Sequence, residues 1–356
     1  EEYPITNVLA CVGIVCAGAF AFGFHLAVVN GPLEAIALDL GFAGDKALLG
    51  AVVSTTLAGA AVGSFTGGAL ADALGRRKAF LLTAIPMLVG PLLSAFATSF
   101  THMAAGRLVT GLAIGLSSAL VPTYISEIAP TRLRGALGTL NQLVICLGIL
   151  SVLCVNVALP VSEWRTFFLI GAVPAVILFL GMLRAPESPR WLASQGKDAS
   201  AEVVAKQLWG PAGVSELSAG APQSAAGKVE QVSWLEMWGP KYRKGVVMGL
   251  ILFALQQFAG INALVYFSTA VFRQAGVTSD TLASAAVGAT NVLGTIVAGS
   301  IIEGAGRKQL LVGSYLGQAA AMFLMVAGFS IPALKPLSAV IAVGGTLAYI
   351  AAFSMG

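Results

Sequence analysis

The chain of 356 residues carries little charge, with only 10% of it Asp, Glu, Lys or Arg. An ordinary soluble domain carries about 25%. It has 2 histidines and 4 cysteines. The cysteines lack metal-ligand spacing and lie in apolar stretches, so they read as small core residues. The net charge of +4 is too small to suggest nucleic acid as a partner. Gly75-Arg-Arg-Lys78 lacks the second half of a phosphate-binding loop, and no catalytic triad is visible. These absences exclude a disulfide scaffold, a disordered chain and an ordinary soluble enzyme, and no cofactor is expected. What the chain has in excess is apolar surface: 57% of its residues are hydrophobic, more than a soluble core of this size can hide.

That surface is arranged in stretches of about 20 residues, the length that spans a bilayer as helix. Ten are predicted, over 8–30, 47–70, 80–98, 104–123, 137–159, 166–183, 245–272, 282–302, 309–330 and 336–356. Strands are disfavoured because the runs are too long and do not alternate. No secretory signal is seen; Glu1-Glu2 stands where a basic region would be. The absent initiator Met predicts a trimmed N-terminus. An apolar run that stops at Gly356 without an interfacial flank predicts further chain beyond it.

Most basic residues fall in loops after the even-numbered spans: Arg76, Arg77 and Lys78; Arg132 and Arg134; Arg184 through Lys244; Arg307 and Lys308. The positive-inside rule puts both ends on the cytosol-like side. The division expected is a six-helix bundle over 1–183, a loop region over 184–244 and a partial second bundle over 245–356. Residues 198–208 fit a short amphipathic helix, and Gly210 to Gly227 read as a flexible linker.

Two loops repeat. Gly68-x3-Asp72-x2-Gly75-Arg76-Arg77 and Gly299-x3-Glu303-x2-Gly306-Arg307-Lys308 share the pattern G-x3-[DE]-x2-G-R-[RK]. Each lies two spans into its half, as parallel repeats require. Gly permits a tight turn with positive φ. A carboxylate four residues before Arg can pair with it at the membrane edge and act as a latch. A complete second half needs two more spans than the ten predicted.

Amides within the spans are the remaining polar signal: Asn141, Gln142, Gln256, Gln257, Asn262, Asn291 and Gln318. Amides offer donor and acceptor without charge, which suits a neutral polyol. Gln256 and Gln257 point about 100° apart on a helix, so both can reach a central cavity. Asn141 and Gln318 read as interhelical hydrogen-bonding residues. Tyr266 and Phe267 are candidates to line the pocket. Gly260 interrupts the seventh span and permits a bend. Among titratable groups, only His25 and the thiols lie deep in an apolar run.

Several motifs carry a resemblance. Pro186-Glu187-Ser188-Pro189-Arg190-Trp191-Leu192, then Gln256-Gln257-x2-Gly260-Ile261-Asn262-x3-Tyr266, resemble signatures of the sugar porter branch of the major facilitator superfamily. So do Arg107 with Gly111, and Pro122-x-Tyr124-Ile125-Ser126-Glu127 before Arg134-Gly135. The resemblance implies an all-α membrane fold of two six-helix bundles, the second incomplete here, working by alternating access. It implies hexose contacts at Gln142, Gln256, Gln257, Asn262 and Asn291. It implies charge networks of Glu127, Arg134, Glu187 and Arg190 on the cytosol-like face, beside Asp72, Arg76, Arg77, Glu303 and Arg307. Phe22-Gly-Phe-His25 through Gly31, Gly63 through Asp72, and Asn141 through Cys146 are similar to plastidic glucose translocators. That implies glucose and the plastid inner envelope, with the plasma membrane as the alternative. Proton-coupled members carry Asp where His25 stands. The expectation is therefore facilitated diffusion by a monomer in the bilayer. Proton symport through His25 and a non-transporting sugar sensor are the alternatives.

Overall fold

The structure is a computed structural model. It describes residues 5–211, 217, 236–331 and 336–355, without the side chains of 237, 302–305 and 307. Most of the expected linker between Gly210 and Gly227 lies outside the described residues, as do the side chains of Glu303 and Arg307.

The first half holds six long helices: α1 (Ile5–Ala27), α3 (Lys46–Leu74), α4 (Arg76–Ala95), α5 (Phe100–Ile128), α6 (Arg134–Ala158) and α7 (Trp164–Arg184). Between α1 and α3 lies a short α2 (Leu33–Asp39), which the hydropathy pattern does not single out. After α7 come α8 (Pro189–Ser194) and α9 (Asp198–Trp209), the latter where an amphipathic helix is expected. The second half holds α10 (Arg243–Phe258), α11 (Ile261–Gln274), α12 (Asp280–Ala305), α13 (Arg307–Ser330) and α14 (Ser338–Ser354). Among the described residues, nine helical spans are long and apolar enough to cross a membrane, counting α10 and α11 as one. The shorter α14 is the tenth apolar helix.

Helices in lipid gain little from apolar burial, so close backbone approach carries their packing. Small residues make that approach reciprocal. A Cβ on Gly59 or Gly63 of α3 would strike the carbonyls of Leu108 and Leu112 on α5. One on Gly111 or Gly115 of α5 would strike those of Thr56 and Ala60 on α3. Gly23 and Gly148 do the same for α1 against α6.

Both repeat loops take the same backbone turn. Gly75 (φ 90°) separates α3 from α4, and Gly306 (φ 80°) separates α12 from α13. The seventh span is broken where Gly260 takes a left-handed conformation with φ 85°. A break inside the bilayer must have its freed backbone groups satisfied. Tyr349 Oη of α14 donates to the Ala259 carbonyl at 2.6 Å, beside the break. Three thiols are buried as expected; Cys154 instead is exposed on α6.

Gly63→Val should overpack the α3–α5 seam and cost about 1–3 kcal/mol. Thermal unfolding in detergent should show a lower midpoint for that variant. Gly68→Val, whose Cβ meets nothing within 4 Å, should match the parent. Equal midpoints for the two variants would refute the seam.

Candidate functional site

The two halves meet most extensively along α6 and α12. Beside that seam lies a cavity of about 430 Å³, within the range of small-molecule sites. Its wall takes Thr139 and Gln142 from α6, Leu252, Phe253 and Gln256 from α10, Asn291 and Thr295 from α12, and Phe353 and Ser354 from α14. Three of the five expected amides therefore share one cavity. Asn291 is buried, and its Oδ1 accepts from Ser354 Oγ at 2.9 Å. Gln142 and Gln256 are exposed to the cavity side. Aromatic Phe253 and Phe353 share the wall with these amides, so apolar and hydrogen-bonding surface lie side by side.

The other expected residues lie elsewhere. Asn262 Nδ2 donates to Gln257 Oε1 at 2.9 Å across the α10–α11 break, and neither lines this cavity. Tyr266 is only 2% exposed and packs in a core cluster with Phe24, Val28 and Phe168 of the first half. Its hydroxyl has no hydrogen-bond partner among the described residues. Gln318, expected only to bond between helices, lines the cavity instead. Its Nε2 donates to Ser314 Oγ at 2.9 Å on its own helix, leaving Oε1 buried without a partner. Spacing alone could not reveal this, because α13 repeats no motif around Gln318.

Sequence reasoning also passed over Asn30. It is 5% exposed, just beyond α1. Its Nδ2 donates to the Val265 carbonyl at 2.6 Å and to Ser268 Oγ at 2.9 Å, and its Oδ1 accepts the Thr269 N–H at 3.2 Å. Residues 265 and 269 are four apart, so one amide clasps a carbonyl and an N–H that face each other along α11. Nearby, Arg273 pairs with Glu34 at 2.9 Å and with Asp280 at 2.8 Å. The first pair joins the halves at this end. The hint available in sequence was an amide at a span end, two residues before Pro32.

His25 and Arg107 are fully buried behind this clasp. His25 Nε2 donates to the Gly171 carbonyl at 3.0 Å, and its Nδ1 has no partner. Arg107 Nη1 donates to the His25 carbonyl at 3.2 Å.

The basic-loop face carries a charge network built on helix ends. Arg76 grips Glu127 with two hydrogen bonds of 2.9 and 2.8 Å and Asp72 with one of 2.9 Å. Glu187 accepts the backbone N–H groups of Arg76 at 2.8 Å and Arg77 at 3.1 Å, capping α4 with a carboxylate from after α7. Negative charge at a helix N-terminus is favourable. Arg77 in turn donates to the Met182 and Leu183 carbonyls at the end of α7. Gly75 has no side chain here because a Cβ would meet the Glu187 carboxylate. Two indoles finish the face: Trp191 donates to the Asp72 carbonyl at 3.1 Å and Trp209 to the Ile128 carbonyl at 2.8 Å. Asp72, Arg76, Arg77, Glu127 and Glu187 thus come together. Arg134 stands apart, with Nε and Nη2 buried and without a hydrogen bond among the described residues.

Residues 10–356 match the family model described as "Sugar (and other) transporter". The chain is 50% identical over 353 residues to plastidic glucose transporter 4 of Arabidopsis thaliana, covering 98% of this chain and 65% of that protein. It is 37% identical over 312 residues to the glucose transporter GlcP of Staphylococcus epidermidis, covering 86% and 69%. Among solved structures, a partially occluded inward-open form of the xylose transporter XylE from E. coli matches with a TM-score of 0.82. That match is at 27% identity and covers 98% of this chain and 82% of that one. The same transporter, titled a proton:xylose symporter and bound to 6-bromo-6-deoxy-D-glucose, matches with a TM-score of 0.81. The chain thus spans about two thirds of the length of its curated relatives. These relatives are transporters and not enzymes. With its apolar helices, repeated turn and amide-lined cavity, the chain is a multi-pass membrane protein belonging to the sugar transporter family of the major facilitator superfamily.

Proposed function

We propose that this protein carries a hexose, glucose foremost, across a plastid envelope membrane by facilitated diffusion and alternating access. The observation that carries the reading is the cavity between the halves, where Gln142, Gln256 and Asn291 converge without a carboxylate among the described lining residues. Neutral amides match neutral hydroxyls, and each sugar hydroxyl buried without a partner costs about 1–3 kcal/mol. The identity to the Arabidopsis plastidic protein supports glucose and the plastid.

Alternating access needs two ends that close in turn. The Asn30 clasp on α11 serves one end. The Arg76–Glu127–Asp72 network serves the other, by holding α3, α4 and α5 as one rigid unit that rocks together, with α7 tied on through Arg77. Gln257, Asn262 and Tyr266 sit on or beside the broken span. In this reading they join the site when α11 swings.

Proton symport through His25 is the second reading, favoured by the solved relative titled a proton:xylose symporter. Facilitated diffusion is preferred because His25 stands where proton-coupled members carry Asp, and its Nε2 is already engaged by the Gly171 carbonyl. A sugar sensor that does not transport is the third.

Counterflow of radiolabelled glucose in liposomes tests carriage itself; a sensor shows none. Gln256→Ala and Asn291→Ala should each raise the KM for glucose about tenfold, as losing a buried polar partner predicts. Adding sugar outside should not alkalinise the medium, and His25→Ala should retain counterflow; alkalinisation lost in that variant would establish symport instead. Glu127→Gln should lower the maximal rate about tenfold while leaving KM within twofold, because losing the charge from a largely buried hydrogen bond costs about 1.5 kcal/mol. A change confined to KM would place Glu127 in binding and not in rocking.

A further inference from the structure

The seam between α6 and α12 carries a polar chain that no transport role above uses. Cys146 is fully buried, one turn beyond Gln142 on α6. Its sulfur lies 3.7 Å from Gln142 Nε2 and 3.4 Å from Thr295 Oγ1 of α12. Thr295 is also buried, one turn beyond Asn291, and its hydroxyl donates to the Asn291 carbonyl at 2.9 Å. A hydroxyl has one proton, and here the Asn291 carbonyl holds it. Thr295 Oγ1 therefore accepts from the Cys146 thiol, and the sulfur accepts from the Gln142 amide. The chain has one direction, from the Gln142 N–H through S–H and O–H to the Asn291 carbonyl. It crosses from one half to the other beside the cavity.

The seam leaves little slack around this contact. Two turns before Thr295, a Cβ on Gly288 would lie 3.1 Å from the Leu150 Cα. Cys146 and Thr295 thus stay in register only while α6 and α12 stay together.

We propose that Cys146 and Thr295 are a positioning pair for the carrier. Through the sulfur they hold the Gln142 amide in its sugar-binding rotamer while the halves touch along this seam. When the halves part, the thiol loses its acceptor and Gln142 is released. The pair thereby links the position of one sugar-binding amide to the relative placement of the halves. Cys146 is absent from the cavity wall and touches no sugar itself, whereas Thr295 stands on that wall. The inference rests on the hexose reading of the cavity.

The test is glucose counterflow with the full-length protein in liposomes, comparing parent, Gln142→Ala, Cys146→Val, Cys146→Ser, Thr295→Val and the Cys146→Val/Thr295→Val double variant. A weak neutral hydrogen bond is at stake, so Cys146→Val and Thr295→Val should each raise KM about threefold to fivefold with the maximal rate within twofold. Cys146→Ser, which keeps a donor and an acceptor, should return KM to within about twofold of the parent. The double variant should equal either single one, because both break one chain. Parental KM in Cys146→Val, no rescue by Ser, or additive effects in the double variant would each overturn the pair. If the parent shows no counterflow, or Gln142→Ala leaves KM unchanged, the hexose reading of the cavity itself has failed.

Discussion

Inside a bilayer every backbone N–H and C=O must find its partner within the protein. The rest of this molecule follows from that constraint. It makes every span helical, and it makes any interruption of a span costly unless another element supplies the missing partner. The seventh span is interrupted at Gly260; the break finds a partner in its own half, and the intact helix after it is gripped from the other. Tyr349 takes the Ala259 carbonyl, and Asn30 clasps the Val265 carbonyl and the Thr269 N–H. The first partner comes from the same half as the break. The second comes from the opposite half and exists only while the halves touch at that end. One contact therefore steadies the break, and the other joins the halves.

The opposite face applies the same logic to helix ends. Four N–H groups and four carbonyls are left open at the termini of each helix. Glu187 caps the start of α4, while Arg77, Trp191 and Trp209 occupy carbonyls ending α7, α3 and α5. The charges of the repeated loop therefore do more than set topology. They fasten neighbouring helices by their termini, so the first half can move as a body. The glycine seams between α3 and α5 and between α1 and α6 stiffen it further along its length.

Side-chain amides that face a common space can serve a ligand there. Gln142, Gln256 and Asn291 reach one cavity from three helices. Gln257 and Asn262 spend their amides on each other across the broken span. The difference is positional and not chemical, since all five residues carry the same functional group. The Cys146–Thr295 contact then lies where the two sets of helices meet, beside the amides that face the cavity.

Much of this was legible in the residues themselves. Long apolar runs can satisfy their backbone only as helices, so the number and order of spans followed from composition and length. The glycine pattern at 75 and 306 announced two equal turns, because positive φ favours Gly whatever surrounds it. The motifs around Gln256, Gln257 and Asn262 pointed to amide chemistry. Other features depended on contacts between residues far apart in the chain. Asn30 meets α11 some 235 positions later, and no local pattern encodes that meeting. Gln318 looked like a residue bonding between helices, yet it joins a cavity wall. Tyr266 looked like a lining residue, yet it is buried against the other half. Local periodicity sets which residues share a helix face. What that face meets is decided only by how the helices pack, and here by where the two halves touch.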